Sequence, residues 1–410
     1  ALGSVADAVQ ARAAELAELT VREVGKPAGE AAGEVARTVA ILRYYAQAVL
    51  DPDGATYPSP DGASMLLHRR RPHGVAGLIT PWNFPIAIPA WKAAPALAYG
   101  NAVVLKPAPE SPAVAEALVE CARPFLPEAL WQVVTGSAGT GQAVVETCDV
   151  VSFTGSVAAG GKVAMAATAR GIPSQAEMGG QNASIVLPDA DLERTAAMVA
   201  GAAMGYAGQK CTATSRAVVV GDPGPFTEAL AAAVGSLAVG DPARSGTVVG
   251  PVITSRARDT VMAAREEATH RGGRILTSDA GGEAPGWFVP PTVVTGLGPD
   301  DRLAQEEVFG PLCLVLPAAD PGEAMAVANG VRYGLVTSIF TSDLDQALAL
   351  AAEVDTGLVK VNAPTSGVDY YAPFGGEKAS SFGPREQGKA ARELYTWTQT
   401  LTLGPARRQP

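Results

Sequence analysis

Histidine and cysteine are scarce in this sequence, with three histidines and four cysteines among 410 residues. The histidines form no cluster, so neither a metal site nor a Ser-His-Asp triad has support, and we expect no metal. The cysteines are too few and too scattered for a disulfide framework, and none forms a C-x-x-C pair. We therefore predict free thiols in a reducing cytoplasm, and we expect any general base to be a carboxylate.

A surplus of positive charge and a long apolar run are also missing. The chain has 31 Lys and Arg residues against 41 Asp and Glu residues, a net charge of -10, and its one short basic block is 69–71. Nucleic acid and anionic membrane surfaces need concentrated positive charge, so we expect neither as a partner. The apolar stretch 74–105 is interrupted by prolines and by Lys92, so we expect no membrane span.

The order of the predicted elements indicates an α/β protein. With 47% hydrophobic and 18% charged residues, the 410-residue chain should form two or three globular domains. Strands alternate with helices, which favours parallel, doubly wound sheets whose ligands sit at strand ends. The predicted strands are 75–80, 102–105, 132–135, 150–153, 218–220, 293–294, 312–316, 338–340 and 358–361. The predicted helices are 31–49, 111–122 with Ser111 as its cap, one from 139, one from 157, 226–234, 256–271, 323–329 and 344–354.

Two parts of the chain stand apart from this alternation. Val5, Val9 and Leu16 recur at helical spacing, so the chain opens in a helix. Residues 63–71 and 393–403 both resemble half-exposed strands, which predicts a small protruding sheet. An unburied apolar strand edge usually pairs with another chain, so we expect these strands to serve self-association.

One stretch combines a carboxylate and a thiol, each near glycine. Glu177 begins E-M-G-G-Q-N-A-S-I-V-L-P, and Cys211 lies in G-Q-K-C-T-A-T-S-R. Glycine lets the backbone turn tightly and lets another group approach closely. We therefore interpret Cys211 as a candidate nucleophile and Glu177 as a candidate base. Taken alone, such a cysteine is more often an ordinary buried residue, because free cysteine behaves as a small hydrophobe.

Further motifs flank this pair: P-W-N-F-P at 81–85, K-P-A-P-E at 106–110, F-T-G-S at 153–156 and E-E-V-F-G-P at 306–311. Together with Glu177 and Cys211, in this order, they resemble the aldehyde dehydrogenase superfamily, whose members oxidise aldehydes with NAD or NADP. The resemblance extends from V-G-K-P at 24–27 to P-F-G-G-E-K at 373–378 and beyond.

The resemblance implies two doubly wound α/β domains and a small β oligomerisation element, assembled as a homodimer or homotetramer. It places the dinucleotide-binding domain at 1–54 and 73–178, and the catalytic domain at 179–392. The oligomerisation strands would be 55–72 and 393–410. Relatives usually carry a further N-terminal segment before the helix that opens this sequence, and we expect folding and assembly to suffer if it is absent.

Carried over residue by residue, the resemblance implies a thioester mechanism. The Cys211 thiolate would attack the aldehyde carbon, while Asn83 and the Cys211 amide would stabilise the oxyanion. Glu177 would activate the water that hydrolyses the thioester, and its presence implies an acid-forming enzyme rather than one that transfers the acyl group to coenzyme A. Lys92 and Glu386 match positions near the base and its proton route, with a mainly structural role as the alternative.

The resemblance also assigns contacts to the cofactor, NAD or NADP. Lys106 would contact the adenosine ribose, and Ser156 with the following helix would bind the pyrophosphate. Glu307 would hold the nicotinamide ribose, with Phe309 packed nearby. The remaining members of this set are Thr80, Trp82, Phe153, Gly155 and Gly179. Many NAD-preferring members have Glu where this chain has Pro109, so the preference between NAD and NADP stays open.

For the substrate, the C-terminal run and the Cys211 motif look most like the α-ketoglutaric semialdehyde (2,5-dioxopentanoate) dehydrogenase branch. This implies a small aliphatic semialdehyde bearing a carboxylate. An arginine should then lie near the mouth of the site, because its fork suits a carboxylate. Thr212, Tyr370 and Tyr371 are the expected substrate-side residues, and exposed loop tyrosines are the alternative.

Three other interpretations stay open at this point. The enzyme could act on another semialdehyde, such as succinic semialdehyde or a phosphono-aldehyde. The chain could be a catalytically silent protein that keeps the fold. A thiol hydrolase would need a histidine beside Cys211, and His270, in a charged helix, is a poor source of one.

Overall fold

The computed structural model describes residues 1–276 and 286–405, so the last five residues of the predicted 393–410 segment lie outside it. The helices are α1 (Leu2–Ala11), α2 (Ala13–Val24), α3 (Ala28–Ala48), α4 (Ala87–Ala98), α5 (Pro112–Ala122), α6 (Ala138–Thr147), α7 (Val157–Arg170), α8 (Leu192–Met204), α9 (Gly224–Gly235), α10 (Ser255–His270), α11 (Arg302–Gln305), α12 (Pro321–Asn329), α13 (Leu344–Ala351) and α14 (Arg392–Tyr395). The strands are β1 (Gly54–Tyr57), β2 (Met65–Pro72), β3 (Val75–Ile79), β4 (Ala102–Lys106), β5 (Trp131–Val133), β6 (Val150–Thr154), β7 (Ser174–Glu177), β8 (Asn182–Val186), β9 (Thr214–Val220), β10 (Arg274–Ile275), β11 (Thr292–Thr295), β12 (Leu312–Ala318), β13 (Tyr333–Gly334), β14 (Val336–Phe340), β15 (Leu358–Val361), β16 (Glu377–Lys378), β17 (Ser381–Phe382) and β18 (Thr396–Leu403).

A six-stranded sheet has the order β17-β7-β6-β3-β4-β5. Its strands are parallel except β17, which runs antiparallel to β7. Successive side chains of a strand point to opposite faces. Ala76 and Leu78 accordingly pack with α1 to α5, whereas Ile79 packs with α6 and α7 on the other face. The sheet is therefore covered by helices on both faces.

A seven-stranded sheet has the order β10-β11-β12-β9-β8-β14-β15, parallel except for β10. Val218 and Val220 point into a core formed with α10 to α13, and Val219 points into a second core formed with α8 and α9. This sheet too is doubly wound. The predicted fold class, two doubly wound α/β sheets with a smaller β element, is confirmed.

The small element is a three-stranded antiparallel sheet in the order β1-β2-β18. The strand 63–71 predicted from the residue pattern corresponds to β2, whereas β1 overlaps the segment 55–72 that the resemblance assigned to the oligomerisation strands. The predicted strand 393–403 begins later, at Thr396, because the preceding residues form the turn of helix α14. That turn buries Leu394 and Tyr395 against the core beneath the six-stranded sheet, which an exposed strand would not do.

The cap of α5 also differs from the prediction. Pro112 is the first helical residue, as expected, but the Ser111 hydroxyl is buried without a hydrogen-bond partner among the described residues. The Glu23 carboxylate instead accepts the amides of Ala113 and Val114, at 2.7 and 2.8 Å. A distant carboxylate thus satisfies the free amides at this helix start, where negative charge is also favoured by the helix dipole.

Within residues 1–276 and 286–405, no helix is long and apolar enough to cross a membrane. In the same residues, no group of three or more His, Cys, Asp or Glu side chains could hold a metal ion.

A buried ion pair joins α3 to the start of α4. Lys26 donates to Glu34, and both side chains are almost fully buried. The other Glu34 oxygen accepts the amides of Ile86 and Ala87, each at 2.9 Å. The Lys26 ammonium also lies 3.8 Å from the centre of the Phe84 ring. Glu34 therefore satisfies both a buried cation and the first amides of a helix.

We predict that Glu34→Ala destabilises the protein by about 3–5 kcal/mol, because removal of one partner leaves a buried charge uncompensated. Glu30→Ala on the same helix is the control, since the Glu30 side chain keeps 31% of its surface exposed in its ion pair with Lys210, and a solvent-accessible pair is worth about 1 kcal/mol or less. The measurement is the midpoint of urea unfolding. Equal midpoints for the two variants would refute this role of Glu34.

Candidate active site

The candidate residues lie where the carboxyl ends of one sheet approach the amino ends of the other. Residues 81–83 follow β3 and residues 154–156 follow β6, whereas Cys211 precedes β9 and residues 307–309 precede β12. They line a common cavity of about 280 Å³. Its lining is Pro81, Trp82, Asn83, Ile88, Thr154, Gly155, Ser156, Met178, Gly179, Cys211, Glu307 and Phe309. The strand-end placement expected from the sequence thus holds for the six-stranded sheet, while the seven-stranded sheet contributes its opposite edge.

Cys211 and Asn83 share this cavity and are held by backbone contacts. The Asn83 amide donates to the Gln209 carbonyl at 2.9 Å, which ties it to the Cys211 loop. The Asn182 amide donates to the Cys211 carbonyl at 2.8 Å. A side-chain amide nitrogen has two N–H groups, so Asn83 keeps a second donor for the cavity. The arrangement fixes a thiol and a hydrogen-bond donor on one wall.

The environment of Cys211 favours the neutral thiol. Burial, followed by the negative charges of Glu307 and Glu177, raises the pKa of Cys211 to about 12, while the backbone amides of Thr212 and Cys211 act in the opposite direction. The leading electrostatic effects on this thiol come from two carboxylates and from backbone amides. His270 ends α10 and is not among these groups, so the hydrolase interpretation gains no support.

Glu177 is the last residue of β7 and is buried. Its carboxylate accepts from the Ser381 hydroxyl at 2.5 Å and from the Gln175 amide at 2.9 Å. Burial, followed by the charge of Glu386, raises the pKa of Glu177 to about 8, although both hydrogen bonds and Lys92 act to lower it. A carboxyl group of this kind can bind or release a proton near neutral pH.

A buried polar network continues from Glu177 into the protein. Lys92 forms an ion pair with Glu386, and its ammonium also contacts the Ser152 hydroxyl at 2.6 Å. Ser152 donates to the Gln175 carbonyl oxygen at 2.7 Å, and the Gln175 amide reaches Glu177. The Lys92 ammonium also contacts the Gln175 side-chain oxygen directly at 3.5 Å. Lys92 and its partner Glu386 are thus connected to Glu177 through Gln175, with Ser152 as a parallel link.

The sequence interpretation missed Gln175, Ser152 and Ser381. Ser152 and Gln175 are fully buried positions of β6 and β7, and each is a polar residue in a strand that is otherwise mainly apolar or buried. A buried polar side chain needs a partner. A polar residue within the predicted strand 150–153 was the available signal for Ser152. Residues 174–177 were not predicted as a strand, so no such signal marked Gln175. Ser381 lies on β17, far along the chain, and no local pattern marks it.

Glu307 and Phe309 are held in a strained and crowded loop. Glu307 accepts the Gly180 amide at 3.0 Å, and a Cβ at Gly179 would lie 2.0 Å from its other oxygen, so any side chain at Gly179 would require the Glu307 carboxylate to move. Phe309 has a φ of 55°, and its ring meets the Trp82 ring edge-on at 5.8 Å. Burial raises the pKa of Glu307 to about 7. Such local strain is typical of functional sites.

The remaining cofactor candidates lie on the side of the six-stranded sheet. Ser156 caps α7 by accepting the Ala159 amide, and the Phe153 ring fills the space that a Cβ at Gly155 would need. Lys106 is buried and donates to the Pro107 carbonyl at 2.9 Å. The buried hydroxyls of Thr80 and Thr154 have no hydrogen-bond partner among the described residues. These hydroxyls and the neighbouring Gly155 suit a polar, phosphate-bearing cofactor.

The expected substrate-side residues are less central. Tyr370 and Tyr371 pack edge-on with a centroid distance of 5.3 Å, and Tyr370 contacts Tyr44 of α3 at 5.9 Å. Neither belongs to the lining of the cavity, and Tyr371 is 59% exposed. Thr212 is buried beside Cys211 and is not part of that lining either. The structure thus places the two tyrosines on a separate aromatic cluster with α3.

Comparison with known proteins gives consistent matches. The sequence model of the Aldehyde dehydrogenase family matches residues 1–401. Alpha-ketoglutaric semialdehyde dehydrogenase of Bacillus subtilis (strain 168) is 40% identical over 413 residues, covering 98% of this chain and 85% of that protein. Alpha-ketoglutarate semialdehyde dehydrogenase of Haloferax volcanii is 42% identical over 405 residues, covering 94% and 82%. The crystal structure of betaine aldehyde dehydrogenase from Staphylococcus aureus in complex with NAD+ has a TM-score of 0.94 at 29% identity, covering 98% and 81%.

These matches confirm the resemblance drawn from the motifs, and with it an oxidoreductase that acts on aldehydes. They extend over nearly the whole chain and over both large sheets. This chain therefore belongs to the aldehyde dehydrogenase family.

Proposed function

We propose that the protein oxidises an aliphatic semialdehyde, 2,5-dioxopentanoate, to the carboxylic acid with NAD or NADP. The balanced reaction consumes the aldehyde, one water and the oxidised cofactor, and it yields the acid, the reduced cofactor and a proton. The observation that carries the proposal is that Cys211, Asn83 and Glu307 line one cavity, and that the charge of the buried Glu177 acts on the Cys211 thiol. The names of two relatives, both dehydrogenases of α-ketoglutaric semialdehyde, support the choice of substrate.

Residues on both sides of the cavity are suited to hold the cofactor. Glu307 would bind the nicotinamide ribose, next to the glycine cradle at Gly179 and Gly180. Ser156, at the start of α7, would face the pyrophosphate, because a helix start offers free amides and a positive dipole end. Lys106 would contact the adenosine ribose. When bound, the nicotinamide supplies the hydride acceptor that the oxidation needs.

In the first stage, the Cys211 sulfur forms a bond to the aldehyde carbon, and the carbonyl π electrons move to oxygen. Asn83 and the Cys211 amide stabilise the negative charge that develops there, and loss of one such donor typically costs about a hundredfold to a thousandfold in rate. The thiol proton passes to Glu177, the carboxylate whose charge acts on Cys211. The raised pKa of about 8 makes Glu177 a suitable acceptor at neutral to alkaline pH.

In the second stage, Glu177 removes a proton from the water that attacks the thioester carbon on Cys211. The carbon–sulfur bond then breaks, and the acid and the Cys211 thiolate are released. Gln175 and Ser152 connect Glu177 to Lys92 and hold the carboxylate in place. We propose that Lys92 and its partner Glu386 provide the proton route away from the base.

We further propose the predicted domain division, at 1–54 with 73–178 and at 179–392, since the chain leaves the six-stranded sheet after Glu177 and enters the seven-stranded sheet at Asn182. Self-association as a homodimer or homotetramer is supported by the exposed edge strand β18, where Trp397 is 43% exposed. A cytoplasmic location is supported by the absence of any disulfide among the four cysteines, all of which the structure describes.

We expect the absorbance of the reduced cofactor to increase when the protein is mixed with 2,5-dioxopentanoate and NAD or NADP. The assay compares 2,5-dioxopentanoate, succinic semialdehyde and pentanal with each cofactor, so it also tests the alternative semialdehyde. Cys211→Ala should abolish formation of the reduced cofactor while cofactor binding, measured by fluorescence quenching, persists. Cys313→Ala is the control, because that buried thiol lies in the core of the seven-stranded sheet. Unchanged turnover in Cys211→Ala would refute the mechanism.

The proposal also predicts the pH dependence of kcat. Glu177 is active as a base only when ionised, and its raised pKa means that the ionised fraction, and therefore kcat, increases as the pH rises through about 8. Ser381→Ala removes a hydrogen bond that favours the carboxylate, so the rise should move to higher pH. Ser236→Ala, an exposed serine after α9, is the control. A rise that stays in place or moves to lower pH in Ser381→Ala would contradict this assignment.

A further inference from the structure

Arg37 of α3 is a half-buried cation without a partner. Its guanidinium makes no hydrogen bond or ion pair with any residue in 1–276 or 286–405. Arg43, six residues later on the same helix, instead pairs with Asp7 at 2.9 Å and with Gln10 at 2.6 Å. A guanidinium carries five donors in a fixed fork and is always charged. A partly buried arginine that leaves all of them unused is suited to an external anion.

The face of α3 that carries Arg37 points toward the active site. Residues at i, i+4, i+7 and i+14 lie on one side of a helix. On that side Glu30 binds Lys210, the neighbour of Cys211, at 2.8 Å, and Glu34 binds the amides of Ile86 and Ala87, just after Asn83. Arg37 is the next residue along this face.

The far end of the same face reaches the loop after β15. Tyr44 contacts Tyr370 there, at a centroid distance of 5.9 Å. Lys360, at the base of that loop, lies within electrostatic range of Arg37 and of the exposed Asp369. Its ammonium donates to the carbonyls of Ser366 and Gly367, at 2.8 and 2.6 Å. Arg37 therefore lies between the Cys211 loop and the tyrosine cluster, in a region with two cations and one exposed carboxylate.

We propose that Arg37 binds the carboxylate end of the substrate and that Lys360 adds to the positive field around it. The proposal rests on the proposed function, because it concerns the same aldehyde and its approach to the cavity at Cys211. From Glu30, whose partner Lys210 adjoins Cys211, to Arg37 the helix rises about 10 Å. An extended five-carbon semialdehyde and an extended arginine side chain together span about 11 Å, which is comparable with this separation.

The fork geometry explains why this residue would select an anionic substrate. A bidentate guanidinium–carboxylate contact is about twice as strong as a neutral hydrogen bond and fixes the direction of the substrate. A neutral aldehyde of the same length leaves the guanidinium in its present unpaired state and gains nothing from it. Arg37 is thus a specificity residue that acts on substrate binding, away from the reacting atoms.

The test compares kcat/KM for 2,5-dioxopentanoate and for pentanal, its uncharged five-carbon counterpart. Arg37→Gln should lower the value for 2,5-dioxopentanoate by about 10- to 100-fold, mainly through KM, and should change the value for pentanal by less than about twofold. Arg37→Lys, which keeps the charge and loses the fork, should fall between. Arg43→Gln is the control and should leave both substrates unaffected.

The outcomes separate this inference from the proposed function. If the wild-type protein oxidises pentanal but not 2,5-dioxopentanoate, the proposed substrate is wrong. If the wild-type protein oxidises both and Arg37→Gln lowers both equally, the role of Arg37 is overturned and the proposed function stands. Gln and Lys are good helix formers, so both variants should fold. If Arg37→Gln does not fold, the wild-type protein provides the test. Added salt should then raise the KM for 2,5-dioxopentanoate and leave the KM for pentanal unchanged.

Discussion

The site depends on how the chain crosses from one sheet to the other. Residues 178–181 connect β7 directly to β8, so the carboxyl end of one parallel sheet is joined to the amino end of the next. Arg216 fixes this crossing. Its buried guanidinium donates to the Gln181 carbonyl at 2.6 and 3.0 Å and to the carbonyls of Val327 and Ala328 at the end of α12. This cation makes four hydrogen bonds to three carbonyls and so ties the 178–181 crossing to the end of α12, where a helix carboxyl end favours positive charge.

Burial then sets the proton chemistry of the same residues. Desolvation is the first cause that raises the pKa values of Glu177, Glu307 and Cys211. Without substrate, these groups therefore tend to be neutral. This lowers the electrostatic free-energy cost of placing several acidic groups in one cavity. Hydrogen bonds through Ser152 and Gln175 connect the Lys92–Glu386 pair to Glu177. A buried cation near a buried carboxyl limits how far its pKa can rise, so the base remains usable near neutral pH.

The fold class, the family and the main chemical groups could be predicted from the sequence, because the family's motifs are short stretches beside strands whose residue types and spacing can be read directly. Helix α4 was not predicted: Pro89 and Pro95 suggested interruption, and its ten buried residues give no amphipathic pattern. Gln175 and Ser152 were not predicted as site residues, because their contact arises only from the pairing of β6 with β7. The Tyr370 cluster and the cap from Glu23 depend on tertiary contacts over long separations, which local patterns do not encode.

We propose that Glu177 completes a reaction that passes through a thioester on Cys211. Intact-mass spectrometry of Glu177→Gln, mixed with 2,5-dioxopentanoate and cofactor and quenched in acid within one turnover, tests this mechanism directly. We expect a covalent acyl adduct that maps to the peptide containing Cys211, persists far longer than in the wild-type protein and is missing in Cys211→Ala. An adduct that disappears as fast in Glu177→Gln as in the wild-type protein, or that maps to another residue, would contradict it.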